Sequence, residues 1–291
     1  MCPLTARLLA FLYTNQTLRV RWNGSSSAPF FTSNGVKQGG ILSPILFCVY
    51  IDELLCRLKR SKVGCYMGNR FYGAIGYADD LCLLAPSRSA ACVLLNICEE
   101  YGKEYNVKFN STKSHLILYN FSDHTVQPLI MNSQPLIIHS NATHLGRPVG
   151  NPDCNDLAVT KGINELTWRT NYVMRKFGFC AADIRLTMFR TYCTNYYGCP
   201  LWKLDSKSIH RFCARWRKCV RKLWNVPPMT HCRYVEHLYD GPCIEAQLLC
   251  RFLSFYQSII TSNNPCVYMC GRLLRSSNTA AATNLKLLSA K

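Results

Sequence analysis

The sequence predicts an α+β protein whose first half mixes helices with short antiparallel strands and whose second half is helical and basic. Three observations carry this. Apolar residues recur at three- and four-residue spacing over residues 46–58 and again over 212–223, the period of an amphipathic helix. Apolar runs around 18–22 and 71–85 are bounded by Asn, Gly, Ser or Asp, which reads as strands joined by tight turns. Pro200, Pro227-Pro228 and Gly241-Pro242 punctuate the second half into separate helices. Antiparallel strands and helices segregated in this way give an α+β pattern.

In chain order, residues 4–13 read as a helix and Leu18-Arg19-Val20-Arg21-Trp22 as a strand. Asn23-Gly24-Ser25-Ser26-Ser27 makes a turn, and Phe30-Phe31 begins the returning strand. Ser43 is expected to cap the next helix with Pro44 at its first position, where the missing N–H costs nothing. Leu46, Val49, Tyr50, Leu54, Leu55 and Leu58 supply that helix with an apolar face. Ser87 is expected to cap a further helix running to about Tyr105. Short strands follow at 107–109 and 116–119, with a hairpin around Asn132-Ser133. Asn151-Pro152-Asp153 marks the change to the helical half. Residues 276–291 are small and polar without a clear period, and a mobile tail is expected there.

The chain has 291 residues, is 48% apolar and carries a formal net charge of +18. That length and content suffice for one large or two smaller cores. The charge excess self-repels and implies a polyanionic partner, nucleic acid or an anionic membrane surface. It is concentrated: residues 161–233 hold fifteen Lys or Arg against Glu165, Asp183 and Asp205. The longest apolar run, 41–51, is interrupted by Ser43-Pro44 and is too short to span a bilayer. No signal-peptide core follows Arg7, so a cytoplasmic or nuclear chain is expected. The eighteen cysteines are scattered through helical and strand-like segments, as expected of small buried hydrophobes. Cys266 and Cys270 have metal-ligand spacing but no second pair.

Tyr77-Ala78-Asp79-Asp80 interrupts an apolar run that extends from Phe71 to Ala85. Two adjacent carboxylates are costly to bury, and a divalent cation offsets both their repulsion and their desolvation. The expected form is an antiparallel hairpin over 71–85 with the acids at its turn. An ordinary hairpin that uses Asp for its turn chemistry fits the same pattern. Upstream, Gln38-Gly39-Gly40 leads into the Ser43-Pro44 helix. Adjacent glycines admit close approach of a ligand, and a helix start adds donors suited to phosphate. A helix-entry loop without a ligand would look the same.

Gln38-Gly39-Gly40-Ile41-Leu42-Ser43-Pro44, followed by Tyr77-Ala78-Asp79-Asp80, resembles the reverse transcriptases of non-LTR (LINE-type) retrotransposons. Lys108-Phe109-Asn110-Ser111-Thr112-Lys113-Ser114 is similar to that family's next motif, and His144-Leu145-Gly146 to the segment that grips the primer. The stretches around Arg175-Lys176-Phe177 and Phe189-Arg190-Thr191-Tyr192-Cys193 are similar to its helical thumb. The resemblance runs from about Leu8 to about Trp224. It implies a partial right-hand polymerase palm over 1–150 and a basic, thumb-like helical region over 151–275. It also implies an RNA template, a DNA primer and two Mg²⁺ ions. Asp79 and Asp80 would be two of three metal carboxylates and Tyr77 would lie by the primer end. Gln38 and Gly39 would face template and incoming nucleotide, and Lys113 would meet the departing pyrophosphate.

The pattern departs from the family in one respect. The family's third carboxylate precedes the glycine loop, and no acid precedes Asp52 here. The resemblance therefore implies an N-terminally truncated, catalytically impaired fragment. Arg211, Arg215, Lys218 and Lys222 fall at i, i+4, i+7 and i+11, one stripe of a helix beside the apolar stripe Phe212, Trp216, Cys219, Val220 and Leu223. Such a stripe can track a phosphate backbone, and it can equally be a solvated face. Two functions compete on these grounds: an RNA-directed DNA polymerase, and a non-catalytic nucleic-acid-binding protein. A membrane-surface role is disfavoured because the apolar stripe is needed for packing.

Overall fold

A computed structural model describes residues 2–14, 16–32, 35, 39–120, 127–150, 154–274 and 276–289. It divides into two compact units, 1–108 and 109–291. The division falls well before the compositional boundary at 150, because the strands of 115–150 pack with the second unit and its first long helix.

The first unit runs α1 (Pro3–Thr14), β1 (Thr17–Leu18), β2 (Arg21–Trp22), β3 (Ser25–Ser26), β4 (Phe30–Phe31) and α2 (Ser43–Arg60). It continues with β5 (Tyr66–Met67), β6 (Arg70–Phe71), β7 (Ala74–Tyr77), β8 (Asp80–Leu83) and α3 (Arg88–Tyr105). The strand expected over 18–22 is split into β1 and β2, and the Asn23-Gly24 turn joins β2 to β3. Asn23 at φ 45° and Gly24 at φ 81° supply the two left-handed residues that a tight hairpin turn requires.

The core of this unit is the α2–α3 contact. Leu54 and Leu58 of α2 and Leu94, Cys98 and Tyr101 of α3 are buried. Arg57 spans the pair: its guanidinium donates two hydrogen bonds to Glu104, at 2.6 and 3.0 Å, and one to Glu53 at 3.0 Å. It also lies over the rings of Tyr101 and Tyr105. Hydrogen bonds to Glu104 and then Glu53 push the Arg57 pKa up, and the same bond from Arg57 holds Glu104 below the usual carboxylate range. Ser87 caps α3 as expected, its Oγ accepting from the Ala90 N–H at 3.2 Å.

Two expectations for α2 are corrected. Leu42, not Ser43, is the cap residue; Ser43 is already inside the first turn and buried, and its Oγ makes no hydrogen bond. The cause is a tight turn ahead of the helix, in which the Ser43 N–H donates to the Gly40 carbonyl at 3.2 Å. The apolar face is also only half used: Leu54 and Leu58 are buried, whereas Leu46, Val49 and Tyr50 are exposed. The exposure continues along the chain before it, at Leu4, Phe11, Trp22, Phe31 and Ile41.

The second unit begins with a 3-10 turn at Ser111–Lys113 and β9 (His115–Ile117). Then come β10 (Ile130–Met131), β11 (Gln134–Pro135), β12 (Ile137–His139), β13 (Asn141–His144) and β14 (Arg147–Gly150). β9 pairs with β12 in parallel, and every other described strand pair in the chain is antiparallel. The Asn132-Ser133 hairpin is present, with φ values of 51° and 62°. The strand expected over 107–109 is not formed.

Helices α4 (Asn155–Phe177), α5 (Ala182–Tyr192), α6 (Lys207–Trp224), α7 (Cys232–Tyr239) and α8 (Ile244–Ile260) then enclose the main core, followed by α9 (Pro265–Leu274) and α10 (Ala280–Ser289). That core holds Trp202, Trp216, Phe189 and Phe212, with Cys193, Cys199, Cys213 and Cys219 filling small gaps. Burial pushes the Cys213 thiol up to about 12, as expected for a cysteine used as a hydrophobe, but the expectation does not hold for every cysteine: Cys2, Cys48, Cys232 and Cys250 are exposed, and Cys82 and Cys180 are only partly buried. Gly162 is required within α4, because a Cβ there would lie 2.7 Å from the Trp202 ring.

The stretch expected to be a mobile tail instead carries α10. Asn284 is fully buried; its amide donates to the Trp202 carbonyl at 2.8 Å and its Oδ1 accepts from the Leu204 N–H at 2.9 Å. One polar side chain satisfying two backbone groups holds a segment whose composition alone argues for disorder. Among the described residues, no helix is long and apolar enough to cross a membrane.

Candidate functional site

The Asp-Asp segment forms the expected hairpin. β7 and β8 pair antiparallel with Tyr77 opposite Asp80, leaving Ala78 and Asp79 as the turn. Ala78 takes φ 50°, a left-handed conformation uncommon for a residue with a Cβ. Alternation sets the faces. Gly76 lies against Leu55 of α2, where a Cβ would meet the Leu55 side chain at 3.5 Å. The opposite face carries Ile75, Tyr77 and Asp80, with Ile75 48% and Tyr77 65% exposed. Asp79 and Asp80 are both exposed. The burial cost expected of two adjacent carboxylates is therefore not incurred.

Gly39 is exposed with φ 80° and open space where a Cβ would stand, so backbone conformation rather than crowding requires glycine there. Gln38 lies outside the described residues. Lys113 belongs to the second unit and is exposed in the 3-10 turn. Asn110 builds that turn: its Oδ1 accepts from the N–H groups of Thr112 at 3.0 Å and Lys113 at 3.3 Å. The Asn that precedes the Lys thus has a local structural task. Among the described residues, no group of three or more His, Cys, Asp or Glu is placed to hold a metal ion.

His144-Leu145-Gly146 sits at the tip of the β13–β14 hairpin, with Leu145 at φ 48° and Gly146 at φ 74°. Three hydrogen bonds tie this tip to distant parts of the chain. The Tyr197 hydroxyl donates to the Leu145 carbonyl at 2.8 Å, the Lys161 ammonium to the Gly146 carbonyl at 2.7 Å, and Arg147 to the Gly198 carbonyl at 2.7 Å. Lys161, Glu165, Arg169 and Tyr197 line a recess beside it. The sequence reading did not single out Lys161 or Tyr197, and no local signal identifies them.

All four stripe residues, Arg211, Arg215, Lys218 and Lys222, are exposed on α6, and the apolar stripe Phe212, Trp216, Cys219, Val220 and Leu223 is buried. Two further α6 cations are engaged within the fold: Arg217 bridges Glu236 at 3.2 Å and Glu245 at 2.6 Å, and Arg221 donates to the Thr230 carbonyl. Arg211, Arg215 and Lys218 have no ion-pair partner among the described residues, and Lys222 donates to Asn171 Oδ1 of α4 at 2.7 Å. α4 and α6 are parallel neighbours, linked at their other end by the Asn155 amide and Ser208 Oγ at 3.2 Å.

The family model for reverse transcriptase (RNA-dependent DNA polymerase) matches residues 2–164. A Pol polyprotein from the type-2 retrotransposable element R2DM of Drosophila melanogaster is 41% identical over 91 residues, 31% of this chain and 8% of that protein. A probable RNA-directed DNA polymerase from transposon X-element of Drosophila melanogaster is 24% identical over 230 residues, 74% of this chain and 24% of that protein. A Pol polyprotein from the type-1 element R2 of Nasonia vitripennis is 32% identical over 116 residues, 40% of this chain and 11% of that protein. The matched stretch spans less than a quarter of the length of each of these relatives.

Proposed function

The chain belongs to the reverse transcriptase family, in its non-LTR retrotransposon branch, and from that premise we propose that it carries the Asp-Asp hairpin and the basic helical part of an RNA-directed DNA polymerase. In this reading 1–150 contributes to a palm and 151–275 to a thumb-like region. Asp79 and Asp80 supply metal-ligand oxygens, and Tyr77 flanks the primer end. Gln38 and Gly39 face template and nucleotide, and Lys113 meets the leaving group. Arg211, Arg215, Lys218 and Lys222 hold the backbone of RNA template, DNA primer or any other nucleic acid.

The observation that carries the reading is the hairpin: one carboxylate sits in a two-residue turn and the next opens β8, opposite an exposed tyrosine. Mg²⁺ prefers hard oxygen donors in octahedral geometry, and when bound it stabilises the attacking and leaving oxygens of nucleotidyl transfer. In this reading Asp79 and Asp80 lack the family's third ligand, and the 291-residue polypeptide, assayed as it stands, binds nucleic acid without extending a primer.

Primer extension on an RNA template with Mg²⁺ or Mn²⁺ tests this, together with gel-shift binding to the same primer–template. Binding without extension is expected. Template-dependent extension that disappears in Asp79→Ala would overturn the non-catalytic part and retain the polymerase part. Failure of the chain to bind nucleic acid at low salt would overturn both.

A further inference from the structure

Trp168, Tyr172 and Arg175 occupy positions i, i+4 and i+7 of α4, on the side opposite its buried residues Val159, Leu166, Thr170 and Val173. Trp168 is 67% and Tyr172 44% exposed. Their rings are stacked, with centroids 5.8 Å apart and planes inclined by 23°, and the Arg175 guanidinium lies 5.6 Å from the Tyr172 centroid. Three flat groups thus form one ladder along the outside of a helix. Both rings are exposed, which leaves a large apolar area in water without an intramolecular reason.

The surroundings select the occupant. Asn171, one helical turn before Arg175 on the same side of α4, holds Lys222 at 2.7 Å, so the ladder adjoins the last cation of the α6 stripe. The neighbouring acid on α4, Glu165, is neutralised by Arg169 of the same helix. A protein partner or a second copy would have to bring its own negative charge to this face. Nucleic acid brings phosphate for the cations and flat π-systems for the rings in one ligand. A duplex presents phosphate but keeps its base faces inside the stack, whereas an unpaired strand can lay its bases on exposed rings.

We propose that Trp168, Tyr172 and Arg175 of α4, flanked by Lys222 of α6, form a stacking platform for the unpaired bases of single-stranded nucleic acid. The proposal rests on the nucleic-acid-binding reading above and adds to it: the α6 stripe holds phosphate regardless of strandedness, and the platform adds a preference for exposed bases. Stacking on an aromatic ring tolerates any base, so the preference is for single strands and not for a sequence.

The test compares three probes of equal phosphate number by fluorescence anisotropy with the full 291-residue chain. They are a labelled 15-nucleotide strand of mixed sequence, a 15-unit strand of abasic sugars, and a duplex. The wild type is expected to bind the base-bearing strand more tightly than the abasic one. Trp168→Ala/Tyr172→Ala should weaken the base-bearing strand roughly 10-fold while leaving the abasic strand, the duplex and the salt slope unchanged. Trp168→Phe/Tyr172→Phe should restore most of the loss, and Tyr234→Ala, an exposed aromatic on α7, should change nothing. Circular-dichroism melts should be unaltered, because both rings lie outside the core.

Wild-type binding that is equal for base-bearing and abasic strands would overturn the platform and leave the phosphate-binding stripe standing. So would a double variant that keeps the preference. A double variant that changes sedimentation from dimer to monomer with binding unaltered would overturn it in favour of a contact between copies. No binding to any probe would remove the underlying reading as well.

Discussion

Tyr77 and Asp80 face each other across the Ala78-Asp79 turn, so their side chains leave the hairpin on the same exposed face. This places the aromatic ring beside one carboxylate and puts the second carboxylate at the turn itself. The arrangement leaves both acids hydrated, and hydration removes the electrostatic penalty that a buried pair would carry. What remains to be explained is the turn, which is made with a residue that has a Cβ.

Ala78 at φ 50° pays for a left-handed backbone that glycine adopts freely. Ala78→Gly is expected to stabilise the first unit by up to about 1 kcal/mol, since relief of the left-handed cost is partly offset by glycine's greater freedom when unfolded. Ala78→Val should destabilise by about 1 kcal/mol or more, because a β-branched side chain fits that region worse. Urea melts of the three proteins check the order Gly, Ala, Val. An unchanged midpoint across the series would show that the turn relaxes at no cost.

Arg57 and Glu104 give the first unit an acid-sensitive tie. The hydrogen bond from Arg57 lowers the Glu104 pKa. A carboxyl whose folded pKa lies below its unfolded value adds stability above the unfolded pKa and loses it as pH falls through the folded one. The contribution is therefore present at neutral pH and disappears on the acid side, below about pH 4.5. Glu104→Gln is expected to lower the thermal midpoint at pH 7 and to narrow its gap to wild type as the pH approaches 3. A gap that is constant across that range would assign the effect to packing against Tyr101 and Tyr105 rather than to charge. Raising the salt at pH 7 should also shrink the gap, because the pair is open to solvent.

Asn284 offers a sharper test of a segment that composition misjudges. Its amide serves two backbone groups of the Trp202–Leu204 segment from a fully buried position. Asn284→Ala removes both partners and leaves a buried N–H and C=O unpaired, which should cost about 1–3 kcal/mol for each group that water does not reach. Asn284→Asp keeps the acceptor but loses the donor and introduces a buried charge, so it should be no better. Hydrogen exchange at the Leu204 amide reads the loss directly. Protection equal to wild type in Asn284→Ala would show that α10 is held by its alanines alone.

The elements that were legible share a feature: their determinants are local. The β7–β8 hairpin follows from apolar flanks around a polar turn, α3 from Ser87 at its start, and the β10–β11 hairpin from Asn132-Ser133, whose residues tolerate positive φ. The α6 stripe was legible because a helical period separates its outward cations from Trp216 and Leu223. What was not legible depends on distant partners. Tyr197 and Lys161 reach the Leu145-Gly146 tip from 52 and 15 residues away, and Asn284 reaches Leu204 from 80. Ser43 failed for a different reason, since a tight turn beginning at Gly40 shifts the cap by one residue. The Trp168-Tyr172 spacing was visible as i, i+4 but is indistinguishable in sequence from an ordinary core pair.

The α6 stripe yields the most quantitative expectation. Each cation that neutralises a phosphate releases condensed counterions, so log K falls with log salt by about 0.9 per duplex phosphate contact. Arg211, Arg215, Lys218 and Lys222 are all exposed, and the first three lack a carboxylate partner among the described residues. Replacing all four with Gln should therefore weaken duplex binding at low salt and reduce the slope by up to about 3–4. Lys222 should contribute least, since its ammonium is already engaged by Asn171. Arg217 and Arg221 make an instructive contrast. Both lie on the same helix, but they are tied to Glu236, Glu245 and the Thr230 carbonyl, so their loss should lower the melting temperature and leave the slope nearly unchanged. Asp79→Ala should alter duplex affinity little or raise it slightly by removing a negative charge. A quadruple variant with wild-type affinity and slope would make the stripe a solvated face, and the phosphate contacts would then have to be sought on the glycine-loop side, around Lys37 and Gln38.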